Sequence, residues 1–334
     1  MILIKYTNNT NVSLSLAVFL ASSNYSNKEG IPSDLEHLNI ISATTLLKPV
    51  RQTVLAQRVP QELAVLDVSQ LMSSRMGSSI HSGIEQAWKN NYKRALADLG
   101  YSENVIDKVR INPPKNSQED IIPVYMENRE YKQLGNFCIT GQYDFVMDGK
   151  LEDFKSTSTF TYMNNTKDED YILQGSIYRW LNPDIIYQDT MTIQFIFTDW
   201  SAAKAKADPN YPQQKFISKS YPLLSLEETE RYIKQRLKQL EEYWDKPEEE
   251  IPECTDKELW RSDPVWKYYK DPKKMTRSTK NFDNKQDAYI RLAEDGNVGT
   301  VVEVPGKAVA CRYCSAYPIC TQKDRLIASG DLEV

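Results

Sequence analysis

GQYDFVMDGKLEDFKS, residues 141–156, gathers Asp144, Glu152, Asp153 and Lys155 around a single Asp-Gly step. Asp-Gly flanked by aromatic and β-branched residues is a strong local signal for a two-residue hairpin turn. With Asp148 and Gly149 as the loop, Met147 faces Lys150, Asp144 faces Asp153, and Gln142 faces Lys155. Opposed side chains on paired strands lie about 4.5–5.5 Å apart at Cβ, and like charges there repel. Positions i and i+2 share a face, so Asp153 and Lys155 point one way and Glu152 the other. The hairpin thus offers one carboxylate from each strand and one ammonium on a common face. That donor set suits a divalent cation bound by hard oxygens, with a lysine to orient water or offset charge. A solvated hairpin whose charges simply face water fits the same residues. On either reading, removal of one repelled carboxylate is expected to cost little stability.

The rest of the chain bounds the choice. Its 334 residues suit one large domain or two ordinary ones, and 40% hydrophobic with 26% charged residues is a globular balance. A net charge of −5 and a pI near 5.4 argue against coating nucleic acid by bulk attraction. An acidic nuclease stays open, because a metal and a local basic patch can meet phosphates. No run reaches the ~18 apolar residues of a membrane span. Near the start, VSLSLAVFLA (12–21) reads as a short amphipathic helix rather than a signal peptide, since only Lys5 precedes it among basic residues. Five cysteines, three bunched near the end, look like ligands rather than a disulfide framework. A cytoplasmic protein without membrane contact is expected.

Periodicity predicts short helices and loops over 1–70. A helix follows from about Leu71 to Leu99, with Ile80, Ile84, Ala87 and Trp88 on one stripe and Gly100 as its stop. Strands are expected within 121–160, a helix over Tyr171–Leu181 before Pro183, a strand over 191–200, and a charged helix over Leu223–Trp244. The result is an α/β core over 71–245, with a helical lead-in at 1–70 and a separate region at 246–334.

Two pairs of residues lie at helical spacing around this core. His81 and Glu85 are one turn apart on the first helix, at the border of its apolar stripe. A structural histidine, and a Glu85 that merely pairs with Lys89, explain them equally. Gln174 and Tyr178 lie four apart on the next helix, where an ordinary half-buried pair is the plain reading.

Their order is more informative. G-x-x-x-H, then D…D-x-K, then Q-x-x-x-Y over roughly residues 75–200 resembles the RecB-like branch of the PD-(D/E)xK nuclease superfamily. The resemblance implies a restriction-endonuclease-like core, a central mixed sheet flanked by helices. It further implies Mg²⁺- or Mn²⁺-dependent hydrolysis of DNA, with His81, Asp144, Asp153 and the Phe154 carbonyl as metal ligands. Lys155 would act on the attacking water, and Gln174 and Tyr178 would hold the DNA backbone or the active-site helix.

CRYCSAYPIC supplies Cys311, Cys314 and Cys320 in C-x₂-C-x₅-C spacing, which suits a four-thiolate site for zinc or a [4Fe–4S] cluster. The segment resembles the C-terminal cluster motif of AddB-type and CRISPR-associated exonucleases of the same branch, which implies iron–sulfur. In those relatives the first ligand lies upstream of the histidine motif, whereas here no cysteine precedes Cys138. Cys138 sits in strand-like NFCIT and reads as core, leaving Cys254 as the expected fourth ligand. A three-cysteine or metal-free site is the alternative.

Between them, Lys257–Lys285 carries nine Lys/Arg against four Asp/Glu, interleaved with Trp260, Trp266, Tyr268, Tyr269 and Phe282. Exposed, these would suit a single-stranded DNA path; a partly buried surface fits as well. The expected function is a metal-dependent DNA nuclease, an exonuclease acting on single- or double-stranded ends in recombination, repair or replication, of a kind typical of phage and mobile elements. Recombination or replication proteins would be its partners. A catalytically silent DNA-binding or assembly protein is the alternative, and a zinc-stabilised adaptor a third.

Overall fold

The computed structural model describes residues 5–22, 30–115, 117 and 120–333. They form two compact units, one of Ile4–Leu47 with Val65–Lys238, the other of Lys48–Ala64 with Gln239–Val334.

The first unit is built on a six-stranded mixed sheet. Its strands are β1 (Val109–Ile111), β2 (Ile122–Met126), β3 (Phe145–Met147), β4 (Lys150–Thr157), β5 (Thr190–Phe197) and β6 (Phe216–Pro222), in the order β6-β5-β4-β3-β2-β1. β4 and β5 are parallel, as are β1 and β2; the other neighbours are antiparallel. The helix α1 (Met72–Asp98) precedes the sheet, and α2 (Asp168–Leu181) makes the crossover from β4 to β5.

The Asp-Gly step forms as read. Asp148 and Gly149 both have positive φ (49° and 74°), the requirement of a type I′ turn, and Met147 pairs with Lys150. Only glycine fits the second position, because a Cβ there would lie 2.3 Å from the Tyr187 ring. The ladder then ends early. β3 covers only Lys150–Glu152 of its eight-residue partner, with Phe145 opposite Glu152 as the last pair. Before that pair, Tyr143 is fully buried, and Gly141 and Gln142 belong to another sheet, formed by Asn39–Ser42, Phe137–Gln142 and Arg129–Leu134. So Asp144 is not cross-strand from Asp153, and Gln142, which pairs with Arg129, does not face Lys155. Among the described residues, the second half of β4 has β5 on one side and no strand on the other.

Alternation along β4 assigns its two faces. Phe154 packs with Phe145, Trp88, Tyr92 and Leu96 under α1. Leu151 and Asp153 pair with Met191 and Ile193 on the face covered by α2, where Tyr171 meets Phe195 edge-on at 5.8 Å. Gly175 brings α2 close, since a Cβ there would sit 2.1 Å from the Met191 sulfur. Of the expected α1 stripe, Ile80, Ile84 and Trp88 are half-buried, but Ala87 is exposed. The helix Leu14–Ala21 buries Leu20 and exposes Leu14, Leu16, Val18 and Phe19, so it is not the amphipathic helix expected there.

The second unit carries a three-stranded antiparallel sheet in the order Lys280–Phe282, Val265–Tyr269, Thr300–Val304, with the helix Lys285–Glu294 against it. The helices Val50–Ala56 and Thr321–Ala328 complete it. No described helix is long and apolar enough to cross a membrane.

Candidate metal centres

Where β4 outruns β3, its unpaired backbone is met by side chains. The Phe154 N–H donates to Asp144 Oδ2 at 2.9 Å, and the Phe154 carbonyl accepts from His81 Nε2 at 2.8 Å. The other ring nitrogen, Nδ1, lies 3.3 Å from Asp144 Oδ1. The histidine therefore bridges two acceptors, an arrangement only the doubly protonated ring satisfies at both ends. Burial opposes its charge, but the Asp144 hydrogen bond and charge, the Phe154 carbonyl and the Asp153 charge together raise its pKa to about 9.

Asp153 is 1% exposed, and Lys155 Nζ approaches its Oδ2 at 2.6 Å as an ion pair off hydrogen-bond alignment. Burial pushes the Asp153 carboxyl up against the pull of Lys155. Lys155 is raised in turn, burial opposing its charge and Asp153 and Asp144 favouring it. Glu152 faces away and accepts from Gln194 Nε2 at 2.9 Å.

A residue with no sequence signal joins them. Glu127, in the turn between β2 and Arg129–Leu134, brings a carboxylate oxygen into a trio with His81 and Asp144 whose ligand atoms all lie within 4.8 Å of one another. Its backbone is left-handed (φ 51°), a strained conformation for glutamate, and its N–H bonds the Asp144 carbonyl at 3.2 Å. Gln142 holds the carboxylate through a 2.7 Å bond to Oε2 and is itself fixed by Arg129 at 2.7 Å. Burial first, and the Asp144 charge second, raise Glu127 to about 7. A glutamate between two strands reads as solvent-facing, and nothing local marks it as inward.

These groups open into one cleft of about 730 Å³, lined also by Gln174 and Tyr178 from α2. Gln174 Nε2 donates to the Tyr178 hydroxyl at 2.7 Å. Glu85 lines the cleft as well but is paired with Lys89 at 2.6 Å, its plain reading. Three carboxylates and a carbonyl, balanced internally by Lys155 and His81, form a hard-donor set, and the His81 imidazole would join it as a ligand on releasing a proton. Their chemistry fits Mg²⁺ or Mn²⁺.

In the other unit, Cys254, Cys311, Cys314 and Cys320 come together. Gln322 clamps the Cys254 backbone from both sides, accepting from its N–H and donating to its carbonyl, each at 2.9 Å. Burial first, then Glu258 and the other three thiols, push Cys254 up to about 12. Burial and neighbouring thiols raise Cys311 too, and burial raises Cys314. Four thiols of one unit, free of disulfides, fit a thiolate-bound metal, whose charge would replace their protons. Cys138 lies apart, fully buried in its strand in the first unit. The basic aromatic segment is less exposed than a stacking path requires. Tyr268 and Tyr269 are buried in the small sheet, Trp266 and Phe282 are half-buried, and of the five Trp260 alone is exposed.

No family model and no curated protein matches this chain. Among solved structures it is similar to SSO0001 (16% identity, TM-score 0.37, covering 67% of this chain and 81% of that one). It is similar also to a phage-related exonuclease from Haemophilus somnus 129PT (14%, TM-score 0.28, 64% and 96%). A third is the alkaline exonuclease LHK-Exo from Laribacter hongkongensis (9%, TM-score 0.28, 63% and 91%).

Proposed function

We propose that this chain is a Mg²⁺- or Mn²⁺-dependent deoxyribonuclease with a PD-(D/E)xK core of the RecB-like kind, acting as an exonuclease on DNA ends. The observation that carries the reading is the open edge of β4. There Asp144, Asp153, Lys155, His81 and Glu127 surround backbone groups that no strand pairs, at the floor of a cleft lined by Gln174 and Tyr178. Asp144, Asp153, Glu127 and His81, with the Phe154 carbonyl, would hold the ion, whose chemistry when bound is to polarise a phosphoryl oxygen and acidify a water. Lys155, kept charged by Asp153, orients the attacking water and offsets charge developing on phosphate. Gln174 and Tyr178 act as a hydrogen-bonded pair toward the DNA backbone. End-labelled single- and double-stranded DNA incubated with Mg²⁺, Mn²⁺ or EDTA tests this. Nucleotides released progressively from the ends, only with metal, are expected; intact DNA with either ion would refute it.

The same reading assigns Cys254, Cys311, Cys314 and Cys320 to a second centre, a [4Fe–4S] cluster rather than zinc. The C-x₂-C-x₅-C spacing, which resembles the cluster motif of iron–sulfur exonucleases of the RecB-like branch, supports iron–sulfur. Anaerobically purified protein is expected to be brown with about four irons per chain. Colourless protein with one zinc would reverse the choice of metal without touching the nuclease assignment.

A further inference from the structure

One buried charge in the second unit has no part in either centre as described. Arg51, on the helix Val50–Ala56, is 3% exposed, and a guanidinium does not shed its proton when buried. One side of its fork is well held. Nη1 donates to the carbonyls of Ile251 (2.9 Å) and Glu248 (3.3 Å), and Nη2 to the Glu248 carboxylate and to Thr321 Oγ1 (3.3 Å). The Glu248 carboxylate also accepts the Thr321 N–H at 2.7 Å and its hydroxyl at 2.8 Å, capping the helix that begins just after Cys320. Thus Arg51 and Glu248 together fix the start of that helix, and with it Cys320.

The other side of the fork is unsettled. The Nε–H of Arg51 is buried and has no hydrogen-bond partner, an unfavourable arrangement unless something supplies one. Cys320 immediately precedes Thr321, which Arg51 bonds at 3.3 Å, and its thiol favours the Arg51 charge. A thiol is a poor acceptor, whereas a metal-bound thiolate is a good one.

We infer that Arg51 is a positioning residue of the thiol centre, holding Cys320 in place through Glu248 and Thr321 and donating its Nε–H to the Cys320 sulfur once that sulfur binds metal. The inference rests on the reading of the four cysteines as a metal centre. Hydrogen bonds to metal-bound sulfur and neighbouring charge tune both metal affinity and reduction potential, and loss of such partners commonly costs ten- to a hundredfold in affinity.

The test compares three variants of the full chain, purified anaerobically: Arg51→Met, Arg51→Lys and Arg58→Met. Arg58 bonds carbonyls of Tyr243, Trp244 and Lys246 in the same unit, so its loss reports general destabilisation. Read out are metal per chain, release rate to a chelator, melting temperature and, for iron–sulfur, midpoint potential. Expected are at least tenfold faster release from Arg51→Met, a lowered potential, and an intermediate Arg51→Lys, which keeps charge but not the fork. Arg58→Met should melt earlier yet release metal within about twofold of wild type. Wild-type release and potential in both Arg51 variants would overturn the inference, as would equal effects of Arg51→Met and Arg58→Met. Wild-type protein that takes up no sulfur-bound metal, even after reconstitution, would overturn the parent reading and this one together, a result separable because it needs no variant. Should Arg51→Met not fold, Arg51→Lys against Arg58→Met carries the same comparison.

Discussion

The two centres solve opposite charge problems. At the edge of β4, carboxylates are already opposed by cations of the chain itself, Lys155 on Asp153 and His81 on Asp144. At the thiol centre burial and neighbouring thiols favour the protonated forms of Cys254 and Cys311, which would acquire charge as metal displaces their protons. The first can therefore assemble without its ion, with the ion adding chemistry. The second, as the proposed metal centre, would gain much of its cohesion from the metal. The contrast is between a site prepaired with its own counter-charges and one that its proposed ligand would complete.

The comparison breaks most visibly at Asp153 and Lys155. Asp153→Asn or Lys155→Met should each lower metal-dependent cleavage by at least about 10³-fold, read as single-turnover rates on labelled DNA. Alanine is the wrong probe here. The expectation that removing a repelled carboxylate costs little does not hold, because Asp153 is buried against Lys155. Alanine leaves the Lys155 ammonium with neither counter-charge nor acceptor, at about 3–5 kcal/mol, whereas asparagine keeps the volume and an amide oxygen that can accept from it. Asp153→Ala should therefore melt well below Asp153→Asn in a thermal scan.

Metal removal separates the centres next. Cys254→Ser should lose the bound metal and increase amide exchange through residues 250–333, while the first unit stays protected; Cys138→Ser should keep its metal. Loss of protection in both units, or metal loss from Cys138→Ser instead, would undo the contrast. A smaller effect is expected at Glu127. Glu127→Gln can still accept from Gln142 through its amide oxygen, and it removes one charge from the trio with His81 and Asp144. Cleavage should fall by roughly 10–100-fold, with Mn²⁺ affinity weakened in the same proportion. Smallest is Glu152→Ala, on the far face with Gln194, which should cleave within about twofold of wild type. If it behaves like Asp153→Asn, the face assignment along β4 is wrong.

What the sequence disclosed followed the range of its signals. The Asp-Gly turn, the helix from Met72 to Asp98 and the faces of β4 are governed by residues within a few positions of one another, and they stand as read. The mixed sheet flanked by helices follows from the order of such segments. The hairpin beyond Phe145 was misjudged because its ladder is ended by Tyr143 turning into the core and Gln142 joining another sheet, a tertiary choice no pairwise register contains. Glu127 reaches the site only through its left-handed turn and the Gln142 clamp, and Arg51 meets Thr321, next to Cys320, from far upstream. Neither has a local pattern to announce it. The aromatic run at 260–282 misled in the opposite sense, since two of its tyrosines serve the core of the small sheet.

The most direct test of the central claim puts binding and chemistry in one sample. Mn²⁺ is titrated calorimetrically into wild-type, Asp144→Asn and Asp153→Asn proteins, and aliquots from each titration point are added to end-labelled DNA. The account predicts that wild-type cleavage rises in step with occupancy, and that both variants stay folded by circular dichroism, bind Mn²⁺ at least tenfold more weakly, and leave the DNA intact. Wild-type cleavage that is unchanged in EDTA, or either variant cleaving at the wild-type rate, would contradict it.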